Sequence, residues 1–291
     1  MTSRLELELN QFLDAMELDS LIGALPEHER PQASETVSTF MNEAIVGLRL
    51  MMNDLDKTSR ILEVGAGLCF LSIFLKEKGY QVTALEPLDG GFGFFDSLKQ
   101  RILDSYSHNG LVVVEKRAEQ LTPHEDGEYD LIFSSNVIEH IAELDDAMLA
   151  MASVLLDTGK MIHGCPNHVV PYEPHVGLPI ISWLPKLTEL FWKTKLEENS
   201  EMWKSLNFVT YFKIRSIARR HGFAVKFKPR LTYDSFLRLS EDPEFRRRHE
   251  STLVGKCLRV LELSGTLKLT RYLPAWLNTP MIFTLTTKQP D

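Results

Sequence analysis

The sequence predicts an α/β fold built on a parallel sheet covered on both faces. Two features carry that expectation. Short apolar runs alternate with helical stretches between residues 60 and 165, and the first run ends in a glycine turn that opens into a helix. The runs 61–64, 81–85, 111–114, 129–134 and 160–164 have strand length, whereas 68–78, 92–105 and 144–156 carry helical spacing, with 138–141 as a turn. Strands that alternate with helices are joined by crossovers, and crossovers cover both faces of a parallel sheet.

The flanks read differently. Leu9, Phe12, Leu13 and Met16 recur at helical spacing, as do Val37, Phe40, Met41, Ala44, Ile45, Leu48, Met52 and Leu55, and Pro26 and Pro31 separate the two segments. Beyond Cys165 a Pro-, His- and Trp-rich stretch runs to about residue 203. A basic helix over 208–221 follows, closed by Gly222, and 224–227 and 281–287 read as two further strands.

Composition narrows the class. Hydrophobic residues make up 44% of the 291 positions and charged ones 25%, ordinary values for a globular chain with a sizeable core. Three cysteines, Cys69, Cys165 and Cys257, lie far apart with no CxxC pair, so neither a disulfide framework nor a zinc site is expected. The first residues turn acidic at once and carry no apolar signal core, and 176–192 is broken by Pro179, Pro185, Lys186 and Glu189. A reducing, cytoplasmic setting is the default expectation.

Net charge is −8, which argues against a general nucleic-acid binder. The charge is divided: residues 1–203 hold 15 Lys and Arg against 33 Asp and Glu, and 204–291 hold 17 against 7. Such asymmetry fits a partner-facing surface, and it fits equally two parts of one fold that neutralise each other.

The first strand ends in Glu63-Val64-Gly65-Ala66-Gly67. Glycines there let the backbone turn tightly and approach a ligand beside the amino end of a helix. The dinucleotide fingerprint G-x-G-x-x-G fails, because Phe70 stands where its third glycine would fall. Glu86, at the end of the second strand, suits a ribose, since one carboxylate can accept from both the 2′ and 3′ hydroxyls.

ILEVGAG, ALEP, EYDLIFSSNVIEHI and LLDTGKMIHGCPN, in this order and spacing, resemble four successive motifs of class I S-adenosylmethionine (SAM)-dependent methyltransferases. The resemblance covers about 61–167 and implies a Rossmann-like sheet of seven strands, mostly parallel with the last antiparallel. It also implies a helical cap (1–57), a SAM-binding core (58–168), and acceptor-lobe insertions with the last two strands (169–291). Gly65, Ala66 and Gly67 would pass beneath the methionine part of SAM, and Glu63 would sit at its amino-acid end. Glu86, followed by Pro87, would hold the ribose, Ala118 the adenine edge, and Asn136 would lie near the sulfonium. Many relatives have Asp where this chain has Arg117, which makes the adenine contact the least secure part of the transfer.

A sulfonium methyl is already electrophilic, so the protein's work is alignment and, for some acceptors, removal of a proton. His140 lies in the rim stretch VIEHI, whereas His163 alternates with apolar neighbours inside a strand and reads as structural. The block PNHVVPYEPH places His168, Tyr172, Glu173 and His175 in a loop stiffened by three prolines. With the GLP that follows, it resembles methyltransferases of bacterial surface-polysaccharide and related biosynthetic clusters. Its apolar tail, 177–185, suits either an acceptor wall or a membrane surface.

His140, His168, Tyr172, Glu173 and His175 are therefore the acceptor-side candidates. Asn136 stands where metal-dependent ubiquinone-type O-methyltransferases carry a carboxylate, and no metal is expected. The expected acceptor is a small molecule, anionic or lipid-linked, methylated on a hydroxyl of a sugar, lipid-linked or aromatic compound. Two rivals are a nicotinamide oxidoreductase, disfavoured by Phe70, and a non-catalytic SAM-binding scaffold subunit.

Overall fold

The computed structural model describes residues 3–88, 93–241 and 253–287. Seven strands form one sheet: β1 (Arg60–Val64), β2 (Gln81–Leu85), β3 (Val112–Val114), β4 (Tyr129–Ser135), β5 (Leu155–Cys165), β8 (Ala224–Phe227) and β9 (Met281–Thr286). Their order is β3-β2-β1-β4-β5-β9-β8, mostly parallel with β9, the last in sequence, antiparallel, as the family resemblance implied. A two-stranded ribbon pairs β6 (Tyr172–Glu173) with β7 (Leu178–Pro179). The chain divides into two compact units. The first comprises Met1–Val137, Glu143–His163 and Leu285–Asp291, and the second Ile138–Ala142 and Gly164–Thr284.

In the first unit β1 lies between β2 and β4, with Val64 level with Leu85 and Glu63 level with both Ala84 and Phe133. That register brings the carboxyl ends of three strands to one edge, where the order reverses and open α/β sheets hold ligands. Three helices precede the sheet: α1 (Arg4–Asp14), α2 (Leu18–Gly23) and α3 (Arg30–Met51). Ser3 caps α1 by accepting from the Glu6 N–H at 3.1 Å. The apolar stripes read from sequence supply Leu9, Leu13, Ala44 and Leu48, all buried, and α1 and α3 pack on α4 (Phe70–Glu77).

One boundary is corrected. The helix expected to reach residue 156 ends at Ser153, and the strand expected from 160 begins at Leu155. A short apolar run carries no period that separates buried helix from buried strand. Gly159 shows what favours the strand here: a Cβ would stand 2.8 Å from Leu155 Cδ1 and 3.0 Å from the Asp130 carbonyl.

In the second unit the basic helix begins three residues later than expected, at Tyr211. Phe208 adopts a left-handed φ of 50°, and Thr210 then caps the helix by accepting from the Lys213 N–H at 3.1 Å. Ile214, Ile217 and Ala218 are buried, and Arg215, Arg219 and Arg220 are exposed. The second basic cluster read from sequence, Arg246, Arg247 and Arg248, lies outside the described residues. Among the described residues, no helix is long and apolar enough to cross a membrane.

Candidate active site

The first unit supplies a cradle at the end of β1. Gly65 and Gly67 have φ of 72° and 55°, left-handed values that a side chain resists. The Gly65 N–H donates to the Leu85 carbonyl at 2.8 Å, and the Gly67 N–H donates to Glu86 Oε2 at 2.8 Å. The backbone turn and the carboxylate after β2 are therefore joined directly. Space above both glycines is filled. A Cβ on Gly65 would fall 2.4 Å from Val137 Cγ2, and one on Gly67 would fall 2.0 Å from Phe40 Cε1. Ala66, between them, is buried, and Pro87 is half-buried behind Glu86.

Two buried carboxylates give the cradle its electrostatics. Ser72 Oγ donates to Glu63 Oε2. Burial above all, helped by the nearby Glu86 charge, pushes the Glu63 carboxyl up to about 8. Glu86 is also raised by burial, with the Gly67 N–H and the Lys99 ammonium acting the other way. Lys99 itself is buried, 3.6 Å from Asp96.

Asn136, just after β4, has a left-handed φ of 53°, and its Nδ2 donates to Glu43 Oε2 at 2.8 Å. Ala118 is buried in the 3-10 turn Ala118–Gln120 after β3, where the Arg117 N–H donates to Gln120 Oε1 at 2.9 Å. His163 is fully buried, 2.8 Å from Ser134 Oγ, and burial lowers it to about 3, as befits a histidine in a strand interior.

A second set of groups lies in the second unit, and here the expected acceptor-side residues come together. Both ring nitrogens of His168 face oxygens: Nδ1 is 3.1 Å from the Val209 carbonyl and Nε2 is 2.5 Å from Glu173 Oε2. Glu173 Oε1 accepts from His175 Nδ1 at 2.5 Å and from the His175 N–H at 2.8 Å. Burial opposes the Glu173 charge, but the hydrogen bonds from His168 and His175 outweigh it and hold the carboxyl down at about 2. Tyr172 is half-buried on the same ribbon, its phenol raised by burial and by the Glu173 charge.

His140 Nδ1 lies 2.8 Å from Ser205 Oγ, whose own proton goes to the Met202 carbonyl at 2.7 Å. The serine must therefore accept, which assigns the tautomer with the proton on Nδ1 and a lone pair on Nε2. Burial first, then the His175 charge, lowers His140 to about 4, so it is neutral at pH 7. The rings of His140 and His175 meet edge to face, centroids 5.3 Å apart.

Ligand atoms of Glu139, His140 and His175 lie within 4.8 Å of one another, two imidazoles and a carboxylate that could hold a divalent ion. Sequence reading missed what supports this cluster. Asn207 Nδ2 donates to the carbonyls of Ile138 and Ile141, both at 2.7 Å, and its N–H donates to the Glu139 carbonyl at 2.8 Å. Asn167 Nδ2 donates to the Trp276 and Asn278 carbonyls, both at 2.9 Å, and its Oδ1 accepts from the Tyr211 N–H at 3.0 Å. These partners lie far from each asparagine in sequence, and Asn167 Oδ1 also accepts from the nearby Val169 N–H at 3.3 Å, so no local motif points to the long-range bonds.

Residues 62–163 match a family model described as a methyltransferase domain. An uncharacterized protein of Mycobacterium tuberculosis is 31% identical over 238 residues, 78% of each chain. An uncharacterized methyltransferase of Staphylococcus carnosus is 32% identical over 117 residues, 38% of this chain and 50% of that one. Among solved structures, phosphoethanolamine N-methyltransferase 2 of Haemonchus contortus, in complex with SAM, aligns at 16% identity with a TM-score of 0.49. That alignment covers 85% of this chain and 53% of the other.

Proposed function

The chain belongs to the class I SAM-dependent methyltransferases, and on that premise we propose that it methylates a hydroxyl of a sugar, lipid-linked or aromatic small molecule. The enzyme class and the SAM cofactor follow from the family. The acceptor reading rests on one observation: the second unit gathers three histidines and two carboxylates at one place.

In this proposal Gly65, Ala66 and Gly67 carry the methionine part of SAM and Glu63 faces its amino-acid end. Glu86, with Pro87 behind it, takes the ribose, Ala118 takes the adenine edge, and Asn136 lies near the sulfonium. The Gly67–Glu86 hydrogen bond supports the pairing of turn and ribose carboxylate, because it fixes the rotamer of Glu86 before the cofactor arrives. Glu86 Oε2 already accepts that bond, and each carboxylate oxygen has a further lone pair for a ribose hydroxyl.

On the acceptor side, His175 is the proposed base, with Glu173 as its orienting carboxylate. Glu173 is ionised and accepts from Nδ1–H, and Nε2, 3.8 Å from Glu139 Oε1, is the nitrogen assigned to the acceptor. His140, whose Nε2 carries a lone pair, accepts a hydrogen bond from the acceptor and aligns it. His168 braces Glu173 through Nε2, and Tyr172 flanks the ribbon as a further polar contact for the acceptor. His175 Nε2 would take the proton of the acceptor hydroxyl, and SAM, held by the glycine turn, Glu63 and Glu86, would supply an electrophilic methyl group to that oxygen. Nothing in that step calls for a Lewis acid, so the proposal runs without a divalent ion.

The test is turnover against SAM affinity. His175→Ala should lower turnover by about 10²–10⁴-fold, the usual contribution of a general base. Calorimetric SAM affinity should stay within about twofold. Loss of SAM binding by the folded variant would move the histidine to the cofactor side and sink the assignment. The acceptor itself is identified by mass spectrometry of host extracts incubated with protein and SAM, through one compound that gains CH₂.

A further inference from the structure

One side of α8 (Pro185–Glu198), in the second unit, is built inward. Leu196 joins a buried cluster with Val176, Leu178, Ile180, Trp203 and Leu206, and the buried Thr188 Oγ1 accepts from the Ile181 N–H at 2.8 Å. The other side faces out. Trp183 is 79% exposed, Leu190 74% and Phe191 69%, and Leu184 and Trp192 are exposed as well. Leu184, Leu187 and Phe191 recur at three- and four-residue spacing with Leu190 beside them, so they share one helical face up to the break at Trp192. Single exposed apolar side chains need no account, but a contiguous set of large ones marks a surface that meets something.

Charge decides what it meets. Lys186, Lys193 and Lys195 are exposed among these residues. Between 183 and 195 the one acidic side chain is Glu189, which accepts from Trp203 Nε1 at 2.9 Å. Lys193 has an exposed ion pair with Glu197 at 3.9 Å, too solvated to hold it. The core of a protein–protein interface is depleted of lysine, whereas rings and leucines interleaved with lysines suit the boundary between acyl chains and anionic headgroups.

We propose that 183–195 is a peripheral membrane-binding surface that docks on anionic bilayers. Trp183, Leu190 and Phe191 enter the headgroup–acyl boundary, and the three lysines lie among the phosphates. Ser182, the residue before this surface, donates through Oγ to the His168 carbonyl at 2.6 Å, so the segment is tied to the proposed acceptor side within its own unit. Docking would bring that side to a lipid-borne acceptor. This consequence rests on the methyl-transfer reading, while the docking surface does not.

The test is sedimentation of the full chain with vesicles of phosphatidylcholine alone or with phosphatidylglycerol added. The protein should sediment with the anionic vesicles and be released by salt. The pair Leu190→Ser with Phe191→Ser should weaken binding by about tenfold or more, from the apolar area no longer buried. Lys186→Gln, Lys193→Gln and Lys195→Gln together should remove the preference for anionic lipid. Calorimetry with SAM on every variant shows whether it is folded and reports separately on the methyltransferase reading. Absence of sedimentation with either vesicle would overturn the proposal, as would a serine pair that binds like the parent. So would sedimentation velocity showing that the patch joins two copies, separated by the serine pair, with no lipid bound.

Discussion

The two units build their chemistry in different ways. In the first, the cradle is mostly backbone and near neighbours: two left-handed glycines, the N–H of one of them, and a carboxylate 19 residues further on. In the second, the histidines and carboxylates depend on Ser205, Val209 and Asn207, which lie 65, 41 and 69 residues beyond their partners His140, His168 and Ile138. A cofactor shared by many enzymes can be met by a short motif. An acceptor particular to one enzyme is met by a fold-level arrangement, with no fixed spacing. Two kinds of failure should follow: substitutions in the first unit should cost cofactor affinity, and those in the second should cost turnover.

The sharpest break between the two is Glu173→Gln. An amide keeps the size but cannot hold both His168 and His175 as the carboxylate does, so the proposed base would lose its orientation. Turnover should fall by about 10²–10³-fold, within the range for general base catalysis, with SAM affinity unchanged by calorimetry. Asn207→Ala sharpens the point, because Asn207 is assigned to neither ligand and bonds the backbone of 138–141. Removing the donors to the Ile138 and Ile141 carbonyls should lower turnover while the acceptor's KM changes with it. A fall in SAM affinity instead would merge the two sites.

Next in size is Glu86→Ala. Loss of charge-assisted hydrogen bonds worth about 1.5–3 kcal/mol should weaken SAM roughly 10- to 150-fold. The acceptor's KM should be unaffected at saturating SAM. NAD should not bind to either form, and tight NAD binding without a SAM signal would contradict the cofactor assignment.

A smaller effect tests the metal question raised by Glu139, His140 and His175. Dialysis against EDTA should leave the rate within about twofold. A rate abolished by EDTA and restored by added Mg²⁺ or Zn²⁺ would turn this histidine pair from proton acceptors into ligands.

How much of this was legible follows the same division. The alternation of strands and helices, the glycine turn and the strand-end positions of Glu63 and Glu86 were readable because their geometry is fixed over a few residues, where period and turn chemistry act, whereas the antiparallel last strand came from the family resemblance. The carboxyl-edge placement of Asn136 followed from the strand before it. Phe40 above Gly67 was read only as one member of a helical stripe, since nothing in sequence joins α3 to a turn 27 residues later. The loop residues His168, Tyr172, Glu173 and His175 could be named by their chemistry. Their pairing, with His168 braced on both nitrogens, needed Val209 in place. The end of α7 (Leu144–Ser153) was misread because the mostly apolar run from Ala147 to Leu156 has no period to break.

The last expected effect is one of pH, and it belongs to the cradle alone. Glu63 has an ordinary carboxyl in the unfolded chain, at 4.5, and one near 8 in the fold, raised by burial and by Glu86. Between these values the folded protein keeps a proton that the unfolded chain has released, so ν_N exceeds ν_U and stability falls as pH rises. The stabilising contribution is complete below 4.5 and lost through about 8, at a limiting slope of about 1.4 kcal/mol per pH unit. Glu63→Gln should flatten this dependence in thermal melts of the cofactor-free protein. SAM should act in the opposite sense. If its ammonium faces Glu63, it favours the carboxylate, so binding expels the proton and affinity rises with pH across the same window. Calorimetry at pH 6.5 in two buffers of different ionisation enthalpy measures that proton directly, and Glu63→Gln should abolish the difference between buffers. The same variant should leave the pH profile of turnover at saturating SAM unchanged, since the proposed base lies in the other unit. Binding that releases no proton from the parent would show that Glu63 stays protonated beneath the cofactor and does not face its ammonium.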